Sequence, residues 1–365
     1  MKNMKIACHI SSLELGGAER QILVLCETLR EQGHDVTLLT SRKGDFFIGE
    51  LERKGITHRQ ISGGSTVNLV SWSLARYMRE SGTQMLVTFM QRPSVKGCVA
   101  HMLWPHFILA VSERGTLDRL RLKDKIRYAL FKQADCIICN SFAQKEFISN
   151  LHSDLAGKTV TIVNAVDTLK FAPAEAAAKP GIAQISKVIL VTARLRRQKN
   201  FLNLLEAAKL MKTTDFKIVW YGQKNGGNYC RKCMKALEES GLGGKFIVRE
   251  AITDIAAAYR EATLFCLPSF REGTSNSLAE ALSSGLPAIV SRVSDNQKYV
   301  TNANGSLIED PSDPAEIAAA LDAILAKSPE ELAAIGRASR AVALEYFDKS
   351  RFDAQYADLI KKLAR

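Results

Sequence analysis

The 365 residues contain no run of about 18 apolar side chains, the least that crosses a bilayer as a helix. The run Ile6–Ile10 is too brief for the apolar region of a signal peptide and reads as a first buried strand. A cytoplasmic protein is expected. Aromatic residues make up only 7% of the chain, and neither zinc-finger spacing nor an aromatic RNA-binding signature occurs, so nucleic acid is not the expected partner. A Gly-x-Gly-x-x-Gly dinucleotide loop and a Ser-His-Asp arrangement are also missing, which removes the motif basis for a nicotinamide oxidoreductase or a triad hydrolase. The eight cysteines do not assemble a metal framework. Cys8, Cys26, Cys98 and Cys266 stand singly in apolar segments, as small hydrophobes do. Cys136 and Cys139 lie on a strand-like run that points them to opposite faces. Cys230 and Cys233 share a predicted helix, but one pair without a second nearby is weak for zinc. Neither metal nor cofactor is expected.

What is present is a soluble composition, 46% hydrophobic and 24% charged, with a net charge of +12 that suits phosphorylated or other anionic partners. Its length fits two domains. Short β-branched runs alternate with helical periods. In the first half the strands are Lys5–His9, Val36–Thr40, Met85–Phe89, Phe107–Val111, Cys136–Cys139 and Val160–Val163, with helices such as Ala18–Gln32 and Leu117–Lys132. In the second half Val188–Thr192, Lys217–Tyr221, Lys245–Val248, Leu264–Leu267 and Ala288–Ser291 alternate with helices such as Asn200–Lys212, Tyr229–Ser240, Ile255–Glu261 and Ser277–Ser284. Such alternation predicts an α/β protein with two Rossmann-like, doubly wound domains facing a cleft. The expected domain boundaries are 1–172 and 182–348. The Pro- and Ala-rich stretch from Phe171 to Gly181 links them. A final helix in 349–365 is expected to pack back on the first domain.

The strongest local signal runs from Pro268 to Pro287. An apolar strand ends, small residues follow, and a helix starts near Asn276 or Ser277. Free N–H groups at a helix start make an anion site. Glu272 lies on the loop and Glu280 in the helix. Taken alone, Glu280 is equally well a ligand contact or a helix-favouring acid three residues after Ser277, as in a capping box. Arg194 and Lys199 stand at another strand-to-helix junction, where two cations can meet a diphosphate. Arg196 and Arg197 read as solvated. Leu15-Gly-Gly-Ala-Glu-Arg20 opens a helix after the first strand.

Together these segments resemble the family 4 retaining glycosyltransferases of GT-B fold. The spacing Glu272–Glu280, followed by Ala-Leu-Ser-Ser-Gly-Leu-Pro, carries the resemblance. It extends to Thr192–Asn200, to Gly16-Gly17, to Asn164-Ala-Val-Asp167 and to Asn304–Pro311. The resemblance implies that Glu280 holds the ribose of a nucleotide sugar and that Glu272 lies beside the donor sugar. It also implies that Gly273, Thr274, Ser275, Asn276 and Ser277 offer main-chain contacts. Arg194 and Lys199 would stabilise the leaving diphosphate, and Gly16 and Gly17 would face phosphate and acceptor. One departure stands out, because the family's usual histidine near the donor sugar is replaced by Glu113 or Arg114. His101 and His106, close by, read as structural.

The implied activity moves a hexose-type sugar, with retention, to a glycan or lipid-linked acceptor in cell-surface polysaccharide or glycoconjugate synthesis. A nucleotide-sugar epimerase of the same fold and a non-catalytic nucleotide-sugar-binding protein are the alternatives. The segment 117–132 interleaves six cations with apolar residues. It reads either as a solvated helix with its apolar stripe inward or as a peripheral contact with anionic lipid on the inner face of the cytoplasmic membrane.

Overall fold

The computed structural model describes residues 3–62, 66–115, 121–173, 187–222, 227–252 and 254–364. The chain divides into two compact units, one made of Met1–Ala165 with Ser350–Arg365 and the other of Val166–Lys349.

The first unit is built on a seven-stranded parallel sheet. Its strands are β1 (Lys5–Ile10), β2 (Asp35–Thr40), β3 (Thr57–Gln60), β4 (Met85–Phe89), β5 (Ile108–Glu113), β6 (Cys136–Cys139) and β7 (Thr159–Thr161), in spatial order β3-β2-β1-β4-β5-β6-β7. Alternate side chains enter separate cores on the two faces, as strand geometry requires. Ile6, Cys8 and Ile10 meet Ile22, Leu25 and Leu29 of the helix Gly17–Glu31 on one face. Ala7, Leu86 and Leu109 meet Leu74 and Met78 of the helix Val67–Ser81 on the other. Cys136 and Cys139 fall on opposite faces.

The helix Lys349–Leu363 lays Phe352, Tyr356, Leu359 and Ile360 into the first of these cores. Their spacing makes one apolar stripe. The Thr28 hydroxyl donates to Asp353 Oδ1 (2.6 Å) and the Gln32 amide to the Asp353 carbonyl (2.8 Å), which fixes the helix in register.

The second unit carries a six-stranded parallel sheet. Here β8 (Lys187–Thr192), β9 (Phe216–Tyr221), β10 (Phe246–Arg249), β11 (Leu264–Leu267), β12 (Ala288–Ser291) and β13 (Gly305–Ile308) lie in the order β10-β9-β8-β11-β12-β13. Strand β13 falls where the sequence suggests a loop. It needs glycine at its start, because a Cβ on Gly305 would come within 1.9 Å of the Ala288 carbonyl oxygen.

Three features differ from the sequence reading. Strand β5 continues through Ser112 and Glu113, which pair with β6. Of the segment 117–132, residues 117–120 lie outside the described residues, and the helix is Leu122–Phe131. Residues 166–173 belong to the second unit: the Val166 N–H donates to the Phe347 carbonyl (2.8 Å) and Phe171 packs edge-on against Tyr259. Within the expected linker, 174–181 lie outside the described residues. Among the described residues, no helix is long and apolar enough to cross a membrane.

Arg340 secures that segment. Its Nη1 reaches the carbonyls of Thr168 (2.8 Å), Phe171 (3.2 Å) and Ser283 (2.7 Å) and the Ser283 hydroxyl (2.9 Å). Charge-assisted bonds of this kind contribute about 1.5–3 kcal/mol each, less when shared. Arg340→Ala is expected to destabilise the second unit by about 2–4 kcal/mol, read as a lowered urea midpoint. An unchanged midpoint would refute the role.

Candidate active site

In the second unit β8 and β11 are neighbours at the point where the strand order reverses, the place at which open parallel sheets take ligands, outside the carboxyl ends of their strands. Both predicted donor segments start there. After β8 the chain makes a short 3-10 turn over Arg197–Lys199 and enters the helix Phe201–Leu210 through Asn200. Asn200 has φ +61, a left-handed backbone that asparagine tolerates better than most residues. Its buried amide donates to the Pro268 (2.9 Å) and Pro311 (2.5 Å) carbonyls.

The two segments are fastened to each other. The Phe270 N–H donates to the Gln198 carbonyl (2.9 Å) and the Gln198 amide donates to the Arg271 carbonyl (2.6 Å). Lys199 Nζ lies 2.5 Å from Glu272 Oε1, with the carboxylate nearly buried. Lys199 and Glu272, read from different motifs, are thus brought together as an ion pair. Arg194 is exposed on the same segment, as are Arg196 and Arg197.

Glu280 departs from the capping reading. Ser275 caps the helix Asn276–Ser283, its hydroxyl accepting from the Leu278 N–H (3.4 Å), and the first turn carries no acid. Glu280 therefore lies in the second turn and is buried. It accepts from the Tyr259 hydroxyl at Oε2 (2.9 Å), and that hydroxyl is also 2.7 Å from Thr192 Oγ1. Thr192 ends β8, so Thr192, Tyr259 and Glu280 form a chain of hydrogen bonds across the reversal point. Gly273, Asn276 and Ser277 are partly exposed, whereas Thr274 and Ser275 are buried.

In the first unit Gly16 is the N-cap of the helix Gly17–Glu31, with Gly17 exposed. Glu113 has no exposed surface, and its carboxylate faces the protein: Arg127 Nε is 3.3 Å from Oε2 and the Gln91 amide 3.3 Å from Oε1. The Arg127 contact is an electrostatic pairing without good hydrogen-bond alignment. Burial pushes the Glu113 carboxyl up to about 7, against the pull of Arg127. Arg114, beside it, is partly exposed, lies over the Phe89 ring and donates to Ser112 Oγ (3.3 Å) and Asn164 Oδ1. His101 and His106 sit before the amino end of β5, against Phe107 and Trp104 respectively.

Two family models match the chain, meeting a few residues after the boundary between the units. The profile of the Glycosyltransferase Family 4 matches residues 15–170, and that of the Glycosyl transferases group 1 matches residues 174–342. The chain belongs to the family 4, group 1 glycosyltransferases. It is 25% identical over 214 residues to a D-inositol 3-phosphate glycosyltransferase of Corynebacterium urealyticum, covering 55% of this chain and 50% of that one. It thus spans about half the length of that relative. A GalNAc-alpha-(1->4)-GalNAc-alpha-(1->3)-diNAcBac-PP-undecaprenol alpha-1,4-N-acetyl-D-galactosaminyltransferase of Campylobacter jejuni is 23% identical over 293 residues, with 76% and 77% of the two chains covered. Among solved structures, Anabaena Alr3699/HepE in complex with UDP-glucose superposes with a TM-score of 0.86 at 18% identity, over 99% of this chain and 100% of that one. The fold is GT-B.

Sequence reasoning gave no role to Tyr259, nor to Gln198 and Asn200 within the segment Thr192–Asn200. Tyr259 reads as one more apolar residue of the segment Ile255–Glu261. Its only sequence signal is a hydroxyl on a residue that has no exposed surface, and a buried hydroxyl needs a partner. Tyr259→Phe keeps the ring and removes the bond to Glu280. The variant is expected to fold and to lose about 1.5–3 kcal/mol of stability with the bond to the buried carboxylate, read as a lowered urea midpoint. An unchanged midpoint would show that Glu280 needs no such support.

Proposed function

We propose that this chain is a retaining glycosyltransferase that moves a hexose-type sugar from a nucleotide-sugar donor to a glycan or lipid-linked acceptor in cell-surface polysaccharide or glycoconjugate synthesis. The observation that carries the reading is the convergence of Glu280, Glu272 and Lys199 on one strand reversal, with Glu280 fixed through Tyr259. The Campylobacter relative's name, with its diphosphoundecaprenol-linked acceptor, and the UDP-glucose complex of the Anabaena protein support the choice of substrates.

In this mechanism Glu280 takes the ribose hydroxyls and Glu272 lies beside the donor sugar. The amides from Gly273 to Ser277, which include the helix start at Asn276, face the diphosphate. The bond from the sugar's anomeric carbon to the diphosphate oxygen breaks, and its electron pair leaves with the diphosphate. The acceptor oxygen forms its bond on the same face and gives its proton to the departing phosphate. The developing charge is therefore on the leaving group, and Arg194 and Lys199 are the cations that meet it. Lys199 changes partner from the Glu272 carboxylate to phosphate or shares itself between them, which gives Glu272 freedom to turn to the sugar. In the first unit Gly16 and Gly17 face the donor's phosphate and the acceptor. Arg114 takes the place of the family's histidine, and Glu113 positions it and Gln91 from behind.

Nucleotide release from a panel of nucleotide sugars tests this reading. Turnover with one donor and a sugar acceptor is expected. Glu280→Ala and Glu272→Gln should each lower kcat/KM by about 100-fold or more while the protein stays folded. Epimer formation without nucleotide release would instead identify an epimerase, and donor binding without turnover on any acceptor a binding protein. Full activity in both variants would overturn the site.

We place the protein peripherally at the inner face of the cytoplasmic membrane. The helix Leu122–Phe131 supports this in a form altered from the sequence reading. Arg127 is buried against Glu113 and Asp124, and Tyr128 and Phe131 face the core. The exposed side carries Leu122 and Ile126 with Arg121, Lys123 and Lys125, an apolar pair ringed by cations. Sedimentation with vesicles containing anionic phosphatidylglycerol is expected to bring down the wild type, and Leu122→Gln/Ile126→Gln to lose most of that binding. Equal sedimentation with neutral and anionic vesicles, or no effect of the double variant, would rule out this contact.

A further inference from the structure

The amino ends of the first unit's strands border a cavity of about 630 Å³. Gln84 lines it just before β4, Ile108 at the start of β5 and Asp135 just before β6. Small-molecule sites span about 300–1,000 Å³. Glu113 ends β5 five residue steps beyond Ile108, so about 17 Å of strand separates this cavity from the carboxyl ends. Its other walls are the last turns of two helices. Arg79 and Gly82 line it from the end of the helix Val67–Ser81, and His101 and Trp104 from the end of the helix Gln91–Leu103.

Two kinds of surface meet there. Trp104 packs partly against the core, and the His106 ring stands 4.4 Å from it, tilted by 58°, so the two rings make an apolar corner. The polar side chains are held by bonds that leave part of each to spare. Asp135 Oδ2 accepts from the Leu109 N–H (2.7 Å), which leaves Oδ1 as an acceptor. Gln84 Oε1 accepts from the Lys5 N–H (3.1 Å), which leaves the amide N–H groups as donors. The Arg79 guanidinium, 6.0 Å from the centre of the Trp104 ring, adds further donors.

This lining suits an uncharged, polyhydroxylated ring. Arg79 and Asp135 cancel in charge, and the carboxyl ends of both helices carry partial negative charge, which opposes phosphates and other anions. Hydroxyl groups both give and take hydrogen bonds, so they match an amide donor, a carboxylate acceptor and helix-end carbonyls together. The C–H hydrogens of a sugar ring fit the negative faces of aromatic rings. A nucleobase would find the same rings, but its phosphates would meet the two helix ends.

We propose that this cavity is a carbohydrate subsite for an uncharged glycan, seated on Trp104 and His106 and hydrogen-bonded by Asp135, Gln84 and Arg79. The assignment rests on the lining alone. Under the glycosyl-transfer reading, the subsite holds an older part of a glycan whose distant end is extended.

Saturation-transfer NMR of the full chain with maltotetraose, cellotetraose and chitotetraose tests the subsite without any turnover. At least one is expected to bind wild type, Trp104→Ala to weaken that binding by about tenfold, and Glu272→Gln to leave it in place. If Trp104→Ala fails to fold, His106→Ala and Arg79→Ala, both at exposed residues, decide the matter. Binding by none of the three, or binding unchanged in the Trp104, His106 and Arg79 variants, overturns the subsite. Binding that Glu272→Gln abolishes and Trp104→Ala spares belongs to the transfer site and overturns it equally. Tighter, Trp104-dependent binding of uridine monophosphate would make the cavity a nucleotide site and refute the glycan assignment. Failure of every nucleotide sugar to turn over, with Trp104-dependent oligosaccharide binding intact, would strike the proposed function and not the subsite.

Discussion

The short pairing between β8 and β11 is the constraint on which the second unit's site depends. Ile189 is in register with Leu264 and Leu190 with Phe265, and both strands run on past this contact. A parallel sheet that reverses its strand order has no way to cover that point with a crossover helix. The gap has to be closed by the segments that leave the strands. Here those segments hold each other through Gln198, Asn200 and the Lys199–Glu272 pair, so the loops that would contact a ligand are also those that finish the fold.

The first unit solves the same problem with different residues. Where the second unit meets its reversal with a carboxylate facing a lysine, the first sets Arg42 against the Ser12 hydroxyl and Lys96 against that of Ser41. One architecture thus presents two reversal points of unlike charge balance. A close Glu–Lys pair has little net field until one partner is taken away, whereas a cluster of cations attracts anions at a distance.

The central strands were legible because they are buried on both faces and read as continuous apolar runs, as Met85–Phe89 and Leu264–Leu267 do. Edge strands were not: Thr57-His-Arg-Gln60 is polar and mostly exposed, and Gly305-Ser-Leu-Ile308 begins with glycine. In the site, the spacing of Glu272 and Glu280 marked the right loop and helix because both residues lie on one continuous segment. The contacts that define their environments join residues far apart in the chain, 73 positions for Lys199 with Glu272 and 21 for Tyr259 with Glu280. Such partners follow from strand order, which local periodicity does not encode. Glu113 shows the converse. Its position after a strand marked it for chemistry, yet the strand runs two residues further than its apolar pattern and carries the carboxylate inside.

The return of the helix Lys349–Leu363 to the first unit has a consequence for how the chain is made. Phe352, Tyr356, Leu359 and Ile360 cover a face formed by Ile6, Cys8, Ile10 and Leu25. During translation the second unit, Val166–Lys349, is complete before that cover exists. Of the two units, the one whose strands are made first is therefore finished last, and on a ribosome it waits with apolar surface open until the helix after the second unit has emerged.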